Sequence, residues 1–298
     1  MIGRFFSALL YYLVILPVSA LPMRALYMLS DALFFVFYHL IGYRKKVVKD
    51  NLRRSFPEKS GDEINELTRK FYSHFCDLLV ESLKIFTIDR EEALKRMVFT
   101  NPELINAYFE QGRSVILAGG HYNNWELFAV AIDEAIRHQT LAIYKPLNNQ
   151  FFDKKMRLTR GKYGLEMIPI KAVKDVFERN RALLTVTIFA TDQSPGNVNR
   201  AYWMNFLNQE TAVLFGTEKL AKEYNYPVVY GLIKKLRRGY YATEFKLVAE
   251  NPADMAYGEI TRIHTRLLEE DIRTQPEFWL WSHRRWKKKR PEHIELAD

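Results

Sequence analysis

The 298-residue sequence predicts an α/β fold: a mixed, largely parallel central sheet flanked by helices, with an N-terminal hydrophobic membrane-anchoring segment. Three observations predict it. Short apolar runs alternate with helical patterns through most of the chain, which is the signature of strands and helices layered around a parallel sheet. An uncharged run, Phe5 to Met23, opens the chain. Apolar residues make up 48% and aromatics 14%, too much core-forming material for a disordered chain.

The opening run reads FFSALLYYLVILPVSALPM, long enough to cross a hydrocarbon core of about 30 Å as a helix. Three readings compete. Arg4 before an apolar run, with Val18-Ser19-Ala20 as a cleavage site, fits a signal peptide. Against it, apolar character resumes after Arg24 and continues from Ala25 to Gly42, with Asp31 as the one fixed charge. A buried helix pair in a soluble protein is the second reading. A membrane anchor, spanning or interfacial, is the third and is preferred. Pro17 and Pro22 argue against one uninterrupted straight helix. Arg44, Lys45, Lys46, Lys49, Arg53 and Arg54 follow directly, as on the cytoplasmic flank of an anchor, where they attract anionic lipid headgroups. The expected division is therefore an anchor over residues 1–43 and a globular domain over 44–298. The expected location is the inner face of the cytoplasmic membrane.

Ser60-Gly61-Asp62-Glu63 is a capping box, and apolar residues recur at helical spacing after it, predicting a helix from about Asp62 to Phe86. His74 and Cys76 lie inside it and read as structural. A short helix follows Asn101-Pro102 as far as Gly112. Strands are expected at Ser114–Ala118, Thr140–Tyr144, Glu166–Ile170, Leu183–Ala190, Pro227–Ile233 and Tyr241–Val248. Helices are expected at Trp125–His138, Asn149–Tyr163, Val173–Asn180, Thr211–Tyr224 and Met255–Thr274. Arg237-Arg238-Gly239 reads as a hairpin turn, which makes the sheet mixed.

Charge and composition narrow the chemistry. Lys and Arg number 44 against 35 Asp and Glu, a net charge of +9, so the partner is anionic: nucleic acid, membrane, or an acidic substrate or carrier. One cysteine excludes a disulfide framework and a thiolate zinc site. No His-x-x-x-His pair appears, and no metal or cofactor is expected. Gly-x-Ser-x-Gly, the phosphate-binding P-loop and Gly-x-Gly-x-x-Gly are all missing from the sequence. Cys76, in a helix pattern, is a poor nucleophile. The tail Arg284–Arg290 could bind phosphate backbones, but beside an anchor it points to anionic lipid or an acidic carrier, and no nucleic-acid partner is expected.

Gly119-Gly120-His121 follows the strand Ser114–Ala118, and a helix starts near Trp125-Glu126. Ligand sites of open α/β sheets lie beyond the carboxyl ends of strands. On one helix His121 and Glu126 would point about 140° apart. They meet only if His121 lies in the turn and Glu126 in the first helical turn. A carboxylate there would orient the imidazole as a general base. A capping His with a first-turn Glu on the helix dipole is the alternative. If Leu183–Ala190 runs parallel to Ser114–Ala118, Asp192 falls on the same sheet edge.

His121-Tyr122-Asn123-Asn124-Trp125-Glu126 has the His-x4-Asp/Glu form of the glycerolipid acyltransferase superfamily, and its surroundings resemble the bacterial lipid A late acyltransferases. Asn51-Leu52 with Phe56-Pro57-Glu58, Gly120-His121 with Asn124-Trp125-Glu126, Arg160 with Gly164, and Asp192-Gln193 match that family in order. Phe206, Thr211, Gly216, Pro276, Trp279-Leu280-Trp281, His283-Arg284-Arg285 and Lys287 continue the series nearly to the end. Asn123 departs from it, standing where the family has glycine. The resemblance implies an O-acyltransferase without a cofactor, in which His121 is the general base and Glu126 orients it. The donor would be an acyl thioester of acyl carrier protein or coenzyme A. The acceptor would be a hydroxyl of a lipid A precursor, or alternatively of another lyso-lipid. A non-catalytic membrane-binding scaffold is a remote alternative. Asn124, Arg160, Asp192 and Gln193 would bind substrate, Arg160 at the oxyanion or at an acceptor phosphate.

Overall fold

The structure, a computed structural model, describes residues 2–297. Its strands are β1 (Met97–Phe99), β2 (Val115–Gly119), β3 (Gln139–Tyr144), β4 (Glu166–Pro169), β5 (Thr185–Ala190), β6 (Ala201–Phe206), β7 (Gln209–Leu214), β8 (Val228–Arg237) and β9 (Tyr240–Ala249). Seven of them form one sheet in the order β1-β9-β8-β2-β5-β3-β4, and β6 and β7 pair separately. Every neighbouring pair in the large sheet is parallel except β8 and β9, which are joined through the expected hairpin. The mixed, largely parallel sheet is thus as the sequence predicts.

β2 lies at the centre and is apolar at every position because helices cover both of its faces. Successive side chains alternate between the two. Ile116 and Ala118 pack into one core with Ile260 and Leu268 of the helix Glu259–Thr274. Val115 and Leu117 pack into the other with Leu127 and Ile132 of the helix Trp125–Ala135. The helix Gly61–Lys84 begins with the predicted capping box: Glu63 N–H donates to Ser60 Oγ at 3.3 Å and Ser60 N–H to Glu63 Oε2 at 2.8 Å. His74 and Cys76 are both buried in it.

One predicted helix is wrong in its first part. Thr211–Tyr224 was expected to be helical, but Gln209–Leu214 is β7, and the helix begins only at Gly216. Leu207 and Asn208 both take left-handed φ values, +50° and +61°, and close a two-residue hairpin of the primed kind. No Asn-Gly or Asp-Gly marks that turn. β1 and the helices Lys45–Ser55 and Arg90–Arg96 are further elements that periodicity does not separate from their neighbours.

The amino-terminal residues form two helical arms. The first runs from Ile2 to Ala20, with a wide turn over Tyr11–Ile15 in which Leu16 N–H donates to Tyr11 O. The widening falls just before Pro17, whose ring cannot fit a regular turn. The chain breaks at Leu21-Pro22, and the second arm runs from Met23 to Ile41. Only 17% of Gly3–Ala20 and 11% of Met23–Ile41 is buried, so the arms are not a buried helix pair. By length and composition either could cross a membrane.

The basic tail also differs from expectation. Arg285 is buried and donates to Ala212 O at 2.6 Å, and Arg290 pairs with Glu210 at 3.1 Å. Arg284, Lys287, Lys288 and Lys289 remain exposed.

Candidate active site

The register of the sheet assembles the site. β2 and β5 are adjacent and parallel, and Gly119 stands opposite Ala190. His121 and Asp192 each follow two residues later, so both emerge side by side at the carboxyl edge of the sheet. Asp192 Oδ1 lies 2.7 Å from His121 Nδ1, and Asp192 Oδ2 accepts from the His121 backbone N–H at 2.8 Å and from Trp279 Nε1 at 2.9 Å. Gly120 permits this approach. A Cβ there would lie 2.9 Å from Leu268 Cδ2 and 3.4 Å from Asp192 Cγ.

The expected partner of the imidazole is therefore replaced. No hydrogen bond joins His121 to Glu126 among the described residues. Glu126, in the first turn of the helix Trp125–Ala135, is held by Arg160, which donates from Nε at 2.8 Å and from Nη2 at 2.5 Å. Arg160 ends the helix Gln150–Arg160, and its Nη1 has no protein partner among the described residues. Gly164 lets the chain leave this helix: its φ is +125°, and a Cβ would collide with the Asp133 carboxylate.

His121 keeps 20% of its side chain exposed and Asp192 only 3%. Burial pulls the imidazole down, but the charge and hydrogen bond of Asp192, with the charge of Glu126, outweigh it and hold His121 above the ordinary histidine value. Burial likewise raises Asp192, yet His121 and the Trp279 N–H together hold it below the usual carboxylate range. With Nδ1–H donated to Asp192, Nε2 is the basic nitrogen. It faces the Gln193 amide, whose Nε2 stands 3.2 Å away. A hydroxyl at the Gln193 position would meet the lone pair of a base already oriented from behind.

Asn124, expected to bind substrate, is buried with both ends of its amide occupied. Oδ1 caps the helix by accepting from Leu127 N–H at 2.8 Å, and Nδ2 donates to Glu81 Oε2 at 2.7 Å. It shapes the turn that follows His121. Asn123 explains the departure from the family's glycine. Its φ is +55°, a left-handed conformation that asparagine tolerates better than most residues, so the turn is kept.

Two supports were not read from sequence. Trp279 donates to Asp192, which makes the carboxyl-terminal Trp-Leu-Trp stretch part of the site. Asn51 Nδ2 donates to Trp281 O at 2.9 Å and His283 O at 3.0 Å, and Phe56 meets Trp281 edge-on at 5.9 Å. The signature just after the arms thus clamps the loop that carries Trp279. The signal was the co-occurrence of these motifs; their contacts need the fold.

The site is thus a carboxylate-paired histidine beside an arginine–carboxylate pair at the carboxyl edge of an α/β sheet, an arrangement able to serve general-base chemistry. The sequence profile of the bacterial lipid A biosynthesis acyltransferases matches residues 2–288, and the chain belongs to that family. It is an acyltransferase of lipid A biosynthesis. The lipid A biosynthesis lauroyltransferase of Escherichia coli (strain K12) is 25% identical over 280 residues, covering 93% of this chain and 90% of its own. The palmitoleoyltransferase of the same strain is 21% identical over 262 residues, covering 82% and 79%. A lipid A biosynthesis acyltransferase of Shigella flexneri shows the same identity and coverage.

Proposed function

We propose that the protein moves a fatty acyl chain from an acyl thioester, carried on acyl carrier protein or coenzyme A, to a hydroxyl of a lipid A precursor. His121 Nε2 takes the hydroxyl proton as the oxygen attacks the thioester carbonyl. Asp192 fixes the tautomer and stabilises the imidazolium that forms. The oxyanion on the former carbonyl is stabilised by Arg160, through the Nη1 that Glu126 leaves open. The intermediate collapses, the C–S bond breaks, and the leaving thiolate takes the proton from His121. The acyl group passes directly between substrates, with no acylated enzyme. Glu126 orients Arg160 and adds negative charge near His121; Gln193 holds the position of the acceptor hydroxyl until it binds.

The observation that carries the reading is the 2.7 Å bond from Asp192 to His121 Nδ1, which leaves Nε2 as the base. The division into an anchor and a catalytic domain, and attachment at the inner face of the cytoplasmic membrane, belong to the same proposal. The test is direct. Purified protein is given a defined acyl thioester and a lipid A precursor with a free hydroxyl, and the lipid is weighed by mass spectrometry. A mass gain of one acyl chain, lost in His121→Ala, is expected. Release of free fatty acid without lipid acylation would refute the acceptor, and turnover by His121→Ala would refute the base.

A further inference from the structure

We infer that the two amino-terminal arms lie in the plane of an anionic lipid surface, and that neither crosses it. The inference rests on the proposed membrane attachment and adds its geometry. The first arm is bonded to the globular part near both of its ends. Ser7 Oγ accepts from Asn149 Nδ2 at 2.8 Å near the start. At the other end Ser19 O accepts from Lys84 Nζ at 3.2 Å and Thr87 Oγ1 at 2.5 Å, and Leu21 O from Lys84 Nζ at 3.1 Å. Between these points Tyr11 packs edge-on to Phe86 at 5.5 Å and to Phe151 at 5.8 Å.

Ser7 to Ser19 is about 18 Å of helix, all of it laid along the domain. A crossing helix must place one end about 30 Å away through hydrocarbon. Here that would draw Lys84 and the end of the long helix Gly61–Lys84 into the membrane with it.

The second arm is fastened in the same manner. Leu26 is fully buried, and Ser30 Oγ donates to Asp77 Oδ1 at 2.8 Å. Tyr27 OH donates to Glu81 Oε1 at 2.9 Å, and Asp31 accepts from Arg238 at 2.6 Å. Tyr38 packs on Tyr72 at 5.7 Å. Crossing would place Asp77, Glu81 and Arg238 in hydrocarbon, where ionisable side chains are strongly disfavoured.

The outward faces show what covers them. Phe5, Phe6, Leu13, Met28, Leu40 and Ile41 are each at least 60% exposed. The exposed charges along the arms are Arg4, Arg24 and the Arg238-paired Asp31, and Arg44, Lys46, Arg53 and Arg54 follow. An apolar face rimmed by cations is the pattern of a helix seated at an anionic interface. The seat also brings the site to the lipid. The helix Gln150–Arg160 meets the first arm through Phe151 and through Lys155, whose Nζ donates to Tyr12 OH at 2.9 Å, and ends at the Arg160–Glu126 pair. Phe151 and Arg160 are about 14 Å apart along that helix.

The test uses the full chain in membrane vesicles of both orientations, with Cys76→Ala to remove the native thiol. Single cysteines are introduced by Gly3→Cys, Leu21→Cys and Lys288→Cys, and a membrane-impermeant maleimide is added. Lys288→Cys reports the face that carries the globular domain. In-plane arms require Gly3→Cys and Leu21→Cys to label from that same face. Labelling of either from the opposite face, or from neither, overturns the in-plane arrangement. Retention through a high-salt wash is scored separately, and release by salt alone would refute attachment itself.

Discussion

Asp192→Asn separates the two carboxylates of the site. Asp192 Oδ2 accepts from two N–H donors, His121 N and Trp279 Nε1, whereas Oδ1 faces only His121 Nδ1. An asparagine in the same place will set its carbonyl oxygen toward the two donors and its NH2 toward Nδ1. Nδ1 must then accept, which moves the imidazole proton to Nε2, the nitrogen that has to receive the substrate proton. The base is present but carries its proton on the wrong side. Positioned general bases contribute roughly 10²–10⁴-fold, so kcat should fall by about that factor, or about 3–5 kcal/mol at 1.36 kcal/mol per decade. The acid limb should move as well. In the native protein Asp192 holds His121 above its ordinary value, so the active neutral form is lost as pH falls through that raised value. Without the charge His121 protonates only at lower pH, and the residual activity should persist further into acid. The assay is kcat against pH with detergent-dispersed acceptor and saturating acyl thioester. A variant within a few-fold of native kcat, or one whose acid limb stays in place, would refute the orienting role of Asp192.

Glu126→Gln should lower transfer while moving the acid limb less than Asp192→Asn, because its charge raises His121 less than Asp192 does; a larger shift in the same pH series would return the orienting role to Glu126. Cys76→Ala should keep its activity and leave no acyl label on denatured protein, since burial pushes this thiol up to about 12 and deprives it of thiolate; radiolabel retained after denaturation would disclose a covalent route. Asn51→Ala should lower thermal stability, because the Trp281 and His283 carbonyls each lose a donor at about 1–3 kcal/mol apiece if water cannot replace it; an unchanged melting temperature in detergent would show that the clamp does not hold the carboxyl-terminal loop.

Most of the sheet was legible because its strands are buried on both faces and read as apolar runs. Val115–Gly119 and Thr185–Ala190 are of this kind, and their parallel register alone brings His121 to Asp192. The hairpin at Leu207-Asn208 was not legible, since a buried leucine in a left-handed turn carries no turn chemistry in its sequence. Within the site, the identities of His121, Glu126, Arg160 and Asp192 were readable from their places at strand and helix ends and from the family motifs. Their pairing was not. The His-x4-Glu motif suggests a contact between His121 and Glu126, five residues apart, whereas the contact made spans 71 positions. Nothing local in the chain reports that Arg160 will take Glu126 away. The basic tail shows the same limit: Arg285 looks like one of a run of surface cations and is instead an interior residue.

The turn that carries His121 is also tied to the arms from beneath. Glu81 is buried, and three donors converge on its carboxyl group: Tyr27 OH at 2.9 Å, Tyr241 OH at 2.7 Å and Asn124 Nδ2 at 2.7 Å. Burial raises its affinity for a proton, and the hydrogen bonds from Tyr241 and Tyr27 work against that rise. Tyr27 belongs to the second arm, and Asn124 caps the helix that follows His121. One carboxyl group therefore serves both the docking of the arm and the geometry of the turn. Lifting the arm away would remove a donor from a buried acceptor, at a cost of about 1–3 kcal/mol, and would disturb the same group that fixes Asn124. The two ends of this link are the elements that the proposed reading places against the lipid surface and against the reacting hydroxyl. The second arm and the turn that carries His121 are, in this fold, parts of one hydrogen-bonded unit.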